Sequence, residues 1–73
     1  MTPTPSEIQI SVNGRPLKLP AGSLVTDLVA VLGVPERGIA LALNGEVVPK
    51  SIWSATVLLA GAKVEVVTIA AGG

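Results

Sequence analysis

The sequence contains no cysteine, histidine, tyrosine or phenylalanine, and Trp53 is its one aromatic residue. Without cysteine there are no disulfides, no thiolate nucleophile and no thiolate metal site, a composition at home in a reducing compartment such as the cytoplasm. Without histidine, the residue most used for acid–base catalysis and metal ligation is missing, so neither a metal nor a cofactor is expected. Charge of one sign is also lacking. Five Lys and Arg balance five Asp and Glu and stand singly along the chain, which leaves no basic field for nucleic acid or an anionic membrane. Long apolar runs are absent although 49% of residues are hydrophobic; the longest uncharged run, residues 51–62, falls short of the ~20 residues that a spanning helix needs. The opening "MTPTPSE" has neither a basic cluster nor an apolar stretch, so it does not read as a signal peptide. Residues 1–6, with Pro3 and Pro5, are expected to form a disordered lead.

The remainder of the 73 residues is enough for one small domain. In "EIQISVNGRPLKL", Ile8, Ile10 and Val12 alternate with Glu7, Gln9 and Ser11, the pattern of a half-buried strand. Asn13-Gly14 supplies the positive-φ pair of a type I′ turn, so Leu17 and Leu19 should return antiparallel. Val25, Leu28, Val29 and Leu32 then recur at helical spacing, with Ser23 expected as N-cap, Asp27 in the first turn, and Gly33 and Pro35 ending the helix. "GIALALNGEVV" repeats the strand pattern, with Ile39, Leu41 and Leu43 inward and Ala40 and Ala42 outward. Asn44-Gly45 turns the chain into a short strand over 46–48. An irregular connection with one helical turn around Trp53 should follow, Trp53 acting as a packing anchor. Gly61 opens a last strand over 63–69, with Val64 and Val66 inward. The predicted order is strand, strand, helix, strand, strand, strand: an α+β roll in which a mixed four- to five-stranded sheet packs on one main helix.

Two features point toward function. Alternation places Gln9, Ser11, Ala40, Ala42, Val67 and Ile69 on the outer sheet face, which is poor in charge, as a docking surface would be. The chain also runs out in "TIAAGG", residues 68–73. An enzyme reading lacks parts: Ser23, Ser51 and Ser54 have no base, Asp27 and Glu46 fall on different elements, and both Asn-Gly pairs are turns. What the tail offers is the carboxylate of Gly73 on a strip without bulk. Gly72 and Gly73 have no Cβ, so they can extend through a narrow channel of another protein.

The stretches "VNGRPLKLPAGSLVTDLVAVLG", "IALALNGEVVPKSIW" and "VEVVTIAAGG", covering nearly everything after Ser6, resemble the β-grasp, ubiquitin-like sulfur carriers, and in particular the ThiS family of thiamine biosynthesis. The sequence departs from that pattern at "LLAGAKVEV", where the family tends to have Gly-Asp and this chain has Ala62, a change expected to affect a turn and not the chemistry.

The resemblance implies a β-grasp domain over 7–69 and a flexible tail over 70–73. It further implies that an E1-like adenylating enzyme uses ATP to activate Gly73, that a sulfur donor system converts the acyl adenylate to a thiocarboxylate, and that a thiazole synthase receives the sulfur. Ala70, Ala71 and Gly72 would thread the partner's channel, and Val67, Ile69, Ala40 and Ala42 would dock. The carrier itself would contribute no catalytic residue. A molybdopterin synthase small-subunit type of carrier shares the fold and the ending, although its last strand commonly leads through a bulkier segment than "TIAAGG". A ubiquitin-like protein modifier would share every feature.

Overall fold

The structure, a computed structural model, describes residues 6–69. Of the lead expected to be disordered over 1–6, residues 1–5 lie outside the described residues, as does the expected free projection of Gly72 and Gly73, whereas the Ser6 carbonyl accepts the Ala21 N–H at 3.0 Å.

Strands β1 (Glu7–Val12) and β2 (Arg15–Pro20) form the first hairpin, with Ile8 opposite Leu19 and Ile10 opposite Leu17. Its turn works because Asn13 and Gly14 take φ of 51° and 82°, the left-handed pair that a type I′ turn requires. Helix α1 (Val25–Leu32) follows, then β3 (Ile39–Leu43), β4 (Glu46–Val47), a 3₁₀ helix over Lys50–Ala55, and β5 (Lys63–Thr68). The sheet order is β2-β1-β5-β3-β4. The last strand therefore runs through the middle of the sheet, parallel to β1 and antiparallel to β3. This is the β-grasp arrangement.

Alternation and helical spacing converge on one core. Ile10, Leu28, Leu41, Val25, Val29, Leu58 and Val64 are all at most 2% exposed, contributed by both sides of the sheet–helix interface and by the loop before β5. On the face toward the helix Leu41 and Val64 are buried, whereas Ile39, Leu43 and Val66 are half-buried. Trp53, 3% exposed, anchors the long connection as expected, and its indole N–H donates to the Val48 carbonyl at 2.8 Å.

The start of the helix departs from expectation. Ser23 is not the N-cap: its hydroxyl donates to the Pro20 carbonyl at 2.6 Å, closing the turn after β2. Leu24 is the cap residue instead, in extended conformation with φ −98° and ψ 164°. The physical reason is non-local. Leu24 forms an isolated bridge with Val57, and the Val25 N–H donates to the Thr56 carbonyl at 2.9 Å, which keeps the chain extended one residue longer. Asp27 supplies the polar part of the cap, its carboxylate accepting the Leu24 N–H at 2.8 Å. At the other end Gly33, with φ 69°, donates its N–H to the Ala30 carbonyl and ends the helix as predicted.

Candidate functional site

The functional features of the sequence converge on the exit of β5. Pairing of β3 with β5 sets Ala40 opposite Val67 and Ala42 opposite Glu65. The ladder runs one residue beyond the strand, because the Ile69 N–H donates to the Gly38 carbonyl at 2.6 Å. Side chains two apart on β5 share a face, so Val67 and Ile69 stand together on the side away from α1. They are 57% and 51% exposed, respectively, and Ala40 and Ala42 are partly exposed beside them.

One member of this face escaped the sequence reading. Val47, 73% exposed, lies directly opposite Ala42 across the second hairpin and extends the patch to β4. The signal was available: an Asn44-Gly45 turn pairs Leu43 with Glu46 and therefore Ala42 with Val47, on the outward side. Ala40, Ala42, Val47, Val67 and Ile69 thus make one apolar strip beside the point where the chain continues to its end, with Glu65 at its border. Such a strip on a solvated sheet face has the character of a docking surface.

Both Asn-Gly turns also reach β5, which spacing alone does not reveal. The Asn13 carboxamide accepts the Val66 N–H at 2.8 Å and donates to the Val66 carbonyl at 3.1 Å. The Asn44 side chain accepts the Lys63 N–H at 2.9 Å while its own backbone N–H donates to the Lys63 carbonyl at 2.7 Å.

Ala70, Ala71, Gly72 and Gly73 lie outside the described residues, which end at Ile69. At the position of departure from the family pattern, Ala62 donates its N–H to the Leu59 carbonyl at 3.0 Å and is 5% exposed, a tight turn with a buried methyl group. Among the described residues no cluster of three or more metal-ligating side chains is present, and no helix is long and apolar enough to cross a membrane.

A family model described as the ThiS family matches residues 6–73. The sulfur carrier protein ThiS of Escherichia coli (strain K12) is 30% identical over 66 residues, which cover 90% of this chain and 100% of that protein. The crystal structure of the thiamine biosynthesis protein (ThiS) from Geobacter metallireducens superimposes with a TM-score of 0.78 at 30% identity, covering 90% of this chain and 100% of that one. An NMR solution structure of a thiamine biosynthesis protein from the same organism gives a TM-score of 0.69 at 30% identity, over 90% of this chain and 88% of that one.

Proposed function

Because the chain belongs to the ThiS family, we propose that it is a sulfur carrier for thiamine biosynthesis that bears its cargo on the carboxylate of Gly73. The observation that carries this reading is a match running through Gly73, joined to a fold in which the strand leading there is central and flanked by an apolar strip. In this reading residues 7–69 are a rigid platform and residues 70–73 an arm, and the protein works in the cytoplasm.

A carboxylate at neutral pH repels nucleophiles and has no leaving group, so loading starts with activation. An oxygen of the Gly73 carboxylate attacks the α-phosphorus of ATP in an E1-like adenylating enzyme, forming an acyl adenylate and releasing pyrophosphate. A sulfide-level sulfur from a donor system then attacks the acyl carbon. The C–S bond forms, the C–O bond to AMP breaks, and a thiocarboxylate remains for a thiazole synthase to consume. The carrier acts as a co-substrate: orientation and charge stabilisation come from the partners, and this chain provides a docking strip and an arm without side-chain bulk. Val67, Ile69, Ala40 and Ala42 dock in this scheme, together with Val47, while Ala70, Ala71 and Gly72 thread the channel.

Appending one alanine after Gly73 tests the proposal, since it turns the reacting carboxylate into an amide without touching the core. The extended protein should release no pyrophosphate with the activating enzyme and ATP, while the unextended one does. Equal release from both would refute a Gly73-based mechanism.

A further inference from the structure

Each hairpin turn begins with Asn where Gly or Asp would also satisfy the backbone. Asn13 and Asn44 both have φ of 51°, a conformation that Asp-Gly and Gly-Gly pairs also adopt. The Asn13 carboxamide does something that neither alternative can do, whereas that of Asn44 only accepts the Lys63 N–H. A carboxamide holds a donor and an acceptor in one plane, so it can pair with both polar groups of one residue on a strand edge as a peptide unit would.

Asn13 does this to β5. Parallel pairing between β1 and β5 runs from Ser11–Lys63 to Val12–Val64, and the Asn13 backbone N–H donates to the Val64 carbonyl at 2.9 Å. There the first hairpin turns away. The Asn13 side chain supplies the next rung, binding both the N–H and the carbonyl of Val66. On the opposite edge Asn44 grips Lys63, three residues earlier. Among the described residues Asn13 makes the last lateral contact on the β1 edge before the chain continues to Gly73. On the β3 edge the last rung is Ile69 to Gly38.

We propose that Asn13 is a positioning residue for sulfur loading: its carboxamide extends the sheet past the end of β1 and fixes the root of the arm, with Asn44 as its counterpart at the start of the strand. This rests on the carrier reading above and deepens it. An arm leaving a fastened strand samples fewer directions than one leaving a frayed strand, so a larger fraction of the free carrier holds the arm in the direction that can enter the partner's channel and bind. Loss of the clamp lowers the competent fraction and raises the apparent dissociation constant by that factor.

Two substitutions separate the clamp from the turn. Asn13→Gly preserves the left-handed conformation and removes the carboxamide; Asn13→Asp keeps an acceptor for the Val66 N–H but loses the donor to its carbonyl. Amide hydrogen exchange at Val66 is compared with that at Ile10 and Leu41, and KM and kcat for each carrier are measured from pyrophosphate release by the activating enzyme with ATP. In Asn13→Gly, Val66 exchange should rise about tenfold, the scale of one net hydrogen bond, with Ile10 and Leu41 unchanged. KM for the carrier should rise about five- to tenfold with kcat within about twofold. Asn13→Asp should restore Val66 protection and part of the KM. Unchanged Val66 exchange in Asn13→Gly overturns the clamp. Equal acceleration at Val66, Ile10 and Leu41 shows a residue that serves global stability only, and also overturns it. An unchanged KM despite faster Val66 exchange overturns the positioning role while the carrier reading stands. If the unsubstituted protein releases no pyrophosphate, the carrier reading fails and the positioning role with it.

Discussion

Adjacent valines on β5 allow the docking strip to be tested against the core that supports it. Val67 is 57% exposed and stands opposite Ala40 on the outer face, whereas Val66 faces the helix side, half-buried against the core cluster. Val67→Asp removes an exposed apolar group, so its cost to the fold is limited to strand preference, at most ~1 kcal/mol. Its cost to docking is larger. A carboxylate placed in the middle of an apolar contact loses the buried valine and must itself be desolvated, which should weaken association with the activating enzyme by ~2 kcal/mol or more, at least about thirtyfold. Val66→Asp reverses the pattern, because it puts a charge against the core and should destabilise the domain by several times as much as Val67→Asp. Circular dichroism melts of both variants, with affinity titrations of Val67→Asp against the activating enzyme, supply the comparison. If Val67→Asp unfolds and Val66→Asp does not, the strand register is wrong by one residue. If Val67→Asp binds as tightly as the unsubstituted chain, the strip is not a docking surface.

Leu28 is fully buried beneath the sheet, so Leu28→Ala should cost about 2–5 kcal/mol, a large fraction of what a 73-residue chain holds, and should lower the urea midpoint without changing the slope. A loss under ~1 kcal/mol would mean that the helix does not pack as described. Trp53→Phe removes the N–H that satisfies the Val48 carbonyl, and Val48 is itself 8% exposed; a loss of about 1–3 kcal/mol is expected in thermal melts followed by circular dichroism. A neutral effect would reduce Trp53 to a replaceable apolar filler.

The parts of the fold readable in the sequence are those set by near neighbours. Period-two alternation over residues 7–12 and 39–43 locates two strands and their inward faces, because one face of each meets the core. The Asn-Gly pairs locate both hairpins, because few residues tolerate positive φ and both turns require it. Strand order and the core position of β5 follow from the resemblance and not from periodicity, which carries no information on which strands become neighbours. Ser23 misled for the same reason. Its identity suits an N-cap, but the bridge between Leu24 and Val57, far apart in sequence, decides where the helix starts.

The candidate site divides similarly. Small residues at the end and an apolar strip on the outer face are visible in composition and register, although the same face also carries Lys18, Lys63 and Glu65. The Asn13 clamp joins residues 53 positions apart and was invisible behind a turn signal that fully explained the asparagine. Val47 was missed although hairpin register implied it, because its strand is only two residues long and offers no alternation to count.

The central claim is that sulfur travels on the last residue of the sequence. Intact-protein and fragment mass spectra, recorded after incubation with the activating enzyme, ATP and a sulfide source, test it most directly. The account predicts a mass gain equal to one oxygen replaced by one sulfur, confined to the fragment that contains Gly73 and raised further by the mass of one alkyl group when an alkylating reagent caps the thiocarboxylate. An unchanged mass under conditions in which the same enzymes load another ThiS-family carrier, or a sulfur located on any other residue, would contradict it.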